Sequence, residues 1–100
     1  MHIEHAHSFT KEDATARLRA LGDYLQRKHG IRVSWSGDKA SFSGKYMIVS
    51  IQGEMTVGEG RVSFSGKDPG LLWRKKATAY IENKLRTYLD PATPIDDLPR

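Results

Sequence analysis

A five-residue figure occurs three times in this chain: Ser34-Trp35-Ser36-Gly37-Asp38, Ser41-Phe42-Ser43-Gly44-Lys45 and Ser63-Phe64-Ser65-Gly66-Lys67. Successive side chains of an extended strand point to opposite faces, so each copy sends one large aromatic to one side and two small hydroxyls to the other, with a glycine at its end. That is the pattern of a half-buried antiparallel sheet. Its dry face needs a cover, and the two long segments of helical spacing that flank the repeats are the candidates.

Residues 2–7 alternate weakly and predict a short edge strand. Thr10 then stands as an N-cap, with Asp13 three residues on and Phe9 placed to staple against Ala14. Ala14, Leu18, Leu21 and Leu25 recur at helical spacing until Gly30 stops the helix, with Arg27, Lys28 and His29 in its last turn, where cations favour the dipole. Gly22 costs up to about 1 kcal/mol relative to alanine inside a helix, which marks a close approach to the sheet. Four strands follow. Their inward sets are Ile31, Val33 and Trp35; Ala40 and Phe42; Met47, Val49, Ile51, Met55 and Val57; and Val62 with Phe64. Turns are expected at Gly37-Asp38, Gly44-Lys45 and Gly58-Glu59-Gly60, and Gly53 reads as a bend or bulge in the longest strand. Asp68-Pro69 reads as the N-cap and first position of a second helix of about twenty residues, traced by Trp73, Ala77, Tyr80/Ile81, Lys84/Leu85 and Tyr88 and ended by Pro91.

The expected fold is α+β in β-α-β-β-β-β-α order: a curved antiparallel sheet of four to five strands, covered on one face by two helices. One domain is expected over residues 1–90. The tail, residues 91–100, with Pro91, Pro94, Pro99 and Asp96-Asp97, has little apolar content and is expected to be flexible. The chain of 100 residues, 38% hydrophobic and 28% charged, fits a single globular domain. Its lack of cysteine excludes disulfides, cysteine-based zinc sites and thiol catalysis. No apolar run approaches the roughly 20 residues that cross a bilayer, and the first ten residues do not read as a signal peptide, so the expected location is cytoplasmic. The net charge of +4 favours anionic surfaces without choosing among them.

Few residues carry chemistry. His2, His5 and His7 read as solvated edge-strand histidines, since a metal site needs more ligands and a supporting shell; neither metal nor cofactor is expected. The two Ser-Gly-Lys segments lack the upstream glycine and the following Ser or Thr of a phosphate loop and read as turns. Leu71, Leu72, Trp73, Arg74, Lys75 and Lys76 form the candidate binding surface, an apolar step beside three cations, against the competing reading that Trp73 is core and the cations are a solvated face. Tyr46 and Ile48 interrupt the hydroxyl face of the sheet and are the expected contact if the chain forms a homodimer. Nucleic acid is not an expected partner, because the aromatics alternate inward, where they cannot stack on bases.

The chain resembles the polyhydroxyalkanoate system family, small proteins encoded among polyester-granule genes, over about residues 3–89. The resemblance rests on His7-Ser8-Phe9 before Glu12-Asp13-Ala14, on Trp35-Ser36-Gly37-Asp38, on Gly53-Glu54-Met55-Thr56-Val57 with Val62-Ser63-Phe64, and on the closing helix with Ile81-Glu82. Lys67-Asp68-Pro69-Gly70 before Leu71-Leu72 departs slightly from the family pattern. These motifs are core and fold punctuation. The resemblance implies a cytoplasmic accessory or regulatory role around storage granules, exercised by binding a granule surface, another anionic surface or a partner protein. A second reading is a small apolar-ligand or lipid-binding domain of miniature helix-grip type, with Gly22, Met47, Gly53 and Met55 lining a slot between helix and sheet. An enzyme is not expected, for want of a nucleophile or acid–base set. A cavity of about 300 Å³ or more between helices and sheet favours the ligand reading, a filled core the accessory one.

Overall fold

The structure, a computed structural model, describes residues 1–46 and 48–100. Helix α1 (Lys11–His29) begins where Thr10 accepts the Asp13 N–H on its hydroxyl at 3.1 Å and ends where Gly30 turns left-handed at φ 67°, its N–H bonded to the Gln26 carbonyl. The helix buries Ala14, Leu18, Leu21 and Leu25. Gly22 is where it presses on the sheet: a Cβ there would stand 3.2 Å from Val33 Cγ1 and 3.4 Å from Trp35 Nε1.

Five strands, β1 (His2–Ala6), β2 (Arg32–Ser36), β3 (Lys39–Tyr46), β4 (Val49–Gly58) and β5 (Arg61–Gly66), form one antiparallel sheet in the order β1-β5-β4-β3-β2. Register brings the inward residues into rows, with Trp35 opposite Ala40, Ala40 opposite Met55, Met55 opposite Phe64 and Phe64 opposite Ile3. Phe42, Met55 and Phe64 are buried in one core with α1, and Trp35 and Ile81 pack against it half-buried. Helix α2 (Arg74–Tyr88) covers the same face and reaches the core through Leu85 and Tyr88. The fold is α+β, as the alternation requires.

Five local expectations differ from the structure. Gly44-Lys45 is not a turn: β3 runs on with Gly44 opposite Ile51, Lys45 opposite Ser50 and Tyr46 opposite Val49, so the first Ser-Gly-Lys lies within a strand. Gly44 is needed because a Cβ would stand 3.3 Å from the Ile31 Cα, where the corner after α1 crosses the strand. Alternation then carries Tyr46 to the Phe42 side, so Tyr46 belongs to the helix-covered face and not, as expected, to the hydroxyl face with Ile48. Met47 lies outside the described residues.

Gly53 is not a bulge either. It pairs in unbroken register with Phe42 on one side and Gly66 on the other. The two glycines make a bare spot beneath the Phe64 ring, since a Cβ on Gly53 would stand 2.8 Å from Phe64 Cζ and one on Gly66 3.0 Å from Phe64 Cε1.

Helix α2 starts later than Asp68-Pro69. Gly70, at φ 100°, breaks the helical path, and its carbonyl then accepts the N–H groups of Trp73 (3.1 Å) and Arg74 (2.9 Å) to start the helix. Asp68 instead accepts the Gly70 N–H at 2.9 Å and pairs with Arg74 at 2.6 Å. The last difference is the tail. Residues 91–98 lie against α1, with Leu98 only 4% exposed in the core and a short 3-10 turn at Ile95–Asp97. Polar anchoring supplies what composition lacks: the buried Arg17 guanidinium donates to the carbonyls of Tyr88 (3.2 Å), Asp90 (3.1 Å) and Thr93 (2.6 Å).

Candidate functional site

Helix α2 meets the core unevenly. Leu85, Tyr88 and the following Leu89 are buried, whereas Trp73, Ala77 and Ile81, earlier on the inward side, are half-buried. Ala77 is the reason: a methyl group stands in the inward row where a larger side chain would reach the sheet. The gap is a cavity of about 520 Å³, floored by Phe42, Ile51, Met55 and Phe64, flanked by Leu21 and Leu25 of α1, and roofed by Trp73, Ala77 and Ile81. Of the residues expected to line such a slot, Met55 does so; Gly53 is covered by Phe64 and Gly22 faces β2.

The cavity edge is aromatic and cationic. His29, at the end of α1, stands edge-on to Tyr24, Tyr46 and Tyr80, with ring centroids 6.1, 5.6 and 6.1 Å away, and its Nε2 is 3.2 Å from the Tyr80 hydroxyl. Burial, with Tyr24 and Tyr46 nearby, raises the Tyr80 pKa above its ordinary value, so Tyr80 keeps its proton near neutrality. The Lys84 ammonium sits 4.6 Å from the Tyr24 ring centre and 5.4 Å from that of Tyr80, a cation–π arrangement. Lys67 and Lys76 also line the cavity, and its lining contains no Asp or Glu among the described residues.

Of the sequence-predicted surface, Trp73 and Lys76 line this cavity. Leu71 and Leu72 are 82% and 88% exposed, and Ile48, at the β3–β4 tip, 85%. Pro69 and Trp73 on one segment, and Tyr46 and Val49 on the other, line the cavity itself, so these exposed side chains flank its open side. Trp73 is half-buried in the lining with Lys76 5.9 Å from its ring centre, between the two readings weighed for it. Arg74 differs from its neighbours. Its guanidinium is held by Asp68, and the pairing pushes the Asp68 pKa down and that of Arg74 up. Lys75 and Lys76 have no carboxylate partner among the described residues.

The sequence places His29 in the last turn of α1 and Tyr80 and Lys84 on α2, but assigns no site role to them or to Tyr24. Only the Tyr80/Lys84 pair, four apart on α2, carries a local signal; Tyr24 and His29 stand on α1, and Tyr46 of β3 completes the cluster. The N-terminal histidines have other work. His2 contacts Ser65 Oγ and Glu4 Oε2, each at 3.0 Å. His7 accepts the Phe9 N–H at Nδ1 (3.1 Å), which leaves Nε2 to donate to the Gly58 carbonyl (3.0 Å), tying the start of α1 to the β4–β5 turn.

The cavity lies between elements whose core residues, Phe42, Met55, Phe64 and Ile81, fall in the stretch where sequence motifs carry family information. A family profile described as "Putative polyhydroxyalkanoic acid system protein" matches residues 1–92. The chain belongs to this family. The match takes in α1, α2, β1 to β5 and the whole cavity lining. Neither curated proteins nor solved structures yielded a match. Among the described residues, no helix of the polyhydroxyalkanoic acid system protein is long and apolar enough to cross a membrane.

Proposed function

We propose that this polyhydroxyalkanoic acid system protein is a non-enzymatic, cytoplasmic accessory component that holds the alkyl portion of a small molecule between α2 and the sheet. The observation that carries this reading is the cavity of about 520 Å³. It falls within the roughly 300–1,000 Å³ of ligand pockets and is lined mainly by apolar side chains, with polar groups at its edge. A filled core would have favoured an accessory role without a ligand. The test is calorimetric titration with decanol, a neutral alkyl chain, into the protein and into Ala77→Trp, which places an indole in the cavity. Saturable binding by the unmodified protein and loss of at least about tenfold in affinity in Ala77→Trp is the expected result. Equal heats in both proteins, with α2 intact by circular dichroism, would remove the cavity as the site.

A second reading has its own support. Ile48, Leu71 and Leu72 are exposed, and Lys75 and Lys76 follow Leu71-Leu72 closely along the chain, the combination that partitions onto anionic interfaces with apolar groups inserted. Under this reading the polyhydroxyalkanoic acid system protein docks, cavity side down, on a granule or anionic lipid surface. Arg74/Lys75/Lys76→Ala should sediment less with anionic vesicles at low salt, and the difference should fade as salt shortens the Debye length below about 8 Å. Arg74 should contribute least, since Asp68 already neutralises it. Indistinguishable sedimentation of the two proteins at low salt would exclude charge-driven docking.

A further inference from the structure

The cavity edge is asymmetric in a way that an apolar chain alone does not use. Lys76, Tyr80 and Lys84 recur at four-residue spacing on α2, so they form one stripe, and all three line the cavity. Each lysine is one helical turn from Tyr80, with the Lys84 ammonium 5.4 Å from the Tyr80 ring centre and the Lys76 ammonium 5.9 Å from that of Trp73. Across from this stripe stand His29 and Tyr46, with His29 Nε2 3.2 Å from the Tyr80 hydroxyl. The one carboxylate of α2, Glu82, lies toward His5 of β1. Neither lysine pairs with an acid among the described residues, and Lys84 is held against two tyrosine rings rather than released to solvent.

We infer that the cavity's ligand is an alkyl carboxylate, its chain among the core side chains and its head group beside Tyr80, between the ammonium groups of Lys76 and Lys84. This rests on the reading of the cavity as a chain-binding site and adds the sign and place of the head group. Two lysines, one helical turn on either side of a tyrosine at the mouth of an apolar cavity, can bring three donors to one acceptor. The partly desolvated setting strengthens that attraction relative to water. A cationic head group meets like charge at the same place. A neutral alcohol gains the chain contacts and little more.

The experiment compares three probes of one chain length, decanoate, decanol and decyltrimethylammonium, below their micelle-forming concentrations. Decanoate should bind about tenfold to a hundredfold more tightly than decanol, the range for a charge-assisted hydrogen-bonded contact, and decyltrimethylammonium more weakly than either. Lys76→Gln/Lys84→Gln should bring decanoate down to the level of decanol while leaving decanol binding unchanged. Lys75→Gln, a change of the same charge outside the cavity lining, should keep the preference. Equal affinities for decanoate and decanol would overturn the head-group assignment and leave chain binding standing. Retention of the preference in the double variant would likewise overturn it. Absence of binding by all three probes would overturn both readings.

Discussion

Truncation of Phe64 to alanine is expected to cost about 3–5 kcal/mol, a large part of the roughly 5–15 kcal/mol that holds a domain together. Phe64 is 8% exposed, pairs with Met55 and Ile3 across two strand boundaries, and meets the Phe42 ring at 6.1 Å. Most buried aromatics sit over side chains that relax inward when the ring is lost. Beneath this one lie Gly53 and Gly66, opposite each other and without side chains to move. The hole therefore stays open and joins the cavity whose floor Phe64 supplies, which places the cost toward the upper part of the range. At roughly 4–8 °C per kcal/mol for a domain of this size, the melting temperature should fall by about 15 °C or more. A Phe64→Ala protein that melts with the unmodified one would mean that the inward face has been assigned to the wrong side of the sheet.

Replacement of Arg17 by methionine is expected to cost about 3 kcal/mol and to free the chain after α2. The guanidinium is the one charged group in the core among the described residues, and it donates to three carbonyls, those of Tyr88, Asp90 and Thr93, while lying 4.2 Å from the Phe9 ring centre. Methionine keeps much of the packing and none of the donors, so carbonyls partly withdrawn from water lose their partners. Lysine should not rescue it, because a point charge cannot span three acceptors as the planar fork does. Hydrogen exchange gives the specific readout. The Asp97 and Leu98 amides, bonded to Pro94 and Ile95 carbonyls, should lose protection ahead of the sheet amides. Protection at Leu98 that survives Arg17→Met would show that the tail is held by Leu98 burial alone.

The parts of this fold that follow from local rules were legible in the residues. Thr10 and Gly30 bound α1 because capping acts over a few residues, and Phe42, Met55 and Phe64 face inward because a strand alternates whatever surrounds it. Three of the misreadings share a cause: each concerns a glycine or a polar group whose role lies in another segment. Gly44 looked like a turn and is a crossing point for Ile31; Gly53 looked like a bulge and is a seat for Phe64. The tail looked too polar to pack because its anchor, Arg17, stands on α1. The site was half legible. The stretch from Leu71 to Lys76 announced itself by composition, whereas a cavity is a deficit of side-chain volume, and only Ala77 in an otherwise bulky row hinted at it.

Strand β1 pairs with β5 alone, so Ile3 finds Phe64 and His5 finds Val62 across most of the chain. During synthesis β1 has no partner until β5, the last strand of the sheet in sequence, has followed it. Helix α1 and the β2–β3 hairpin can form meanwhile from near neighbours, but the edge that carries Ile3 into the core must wait. A pairing of such long sequence separation costs more chain entropy than the neighbouring hairpins, and it slows the closing of that edge.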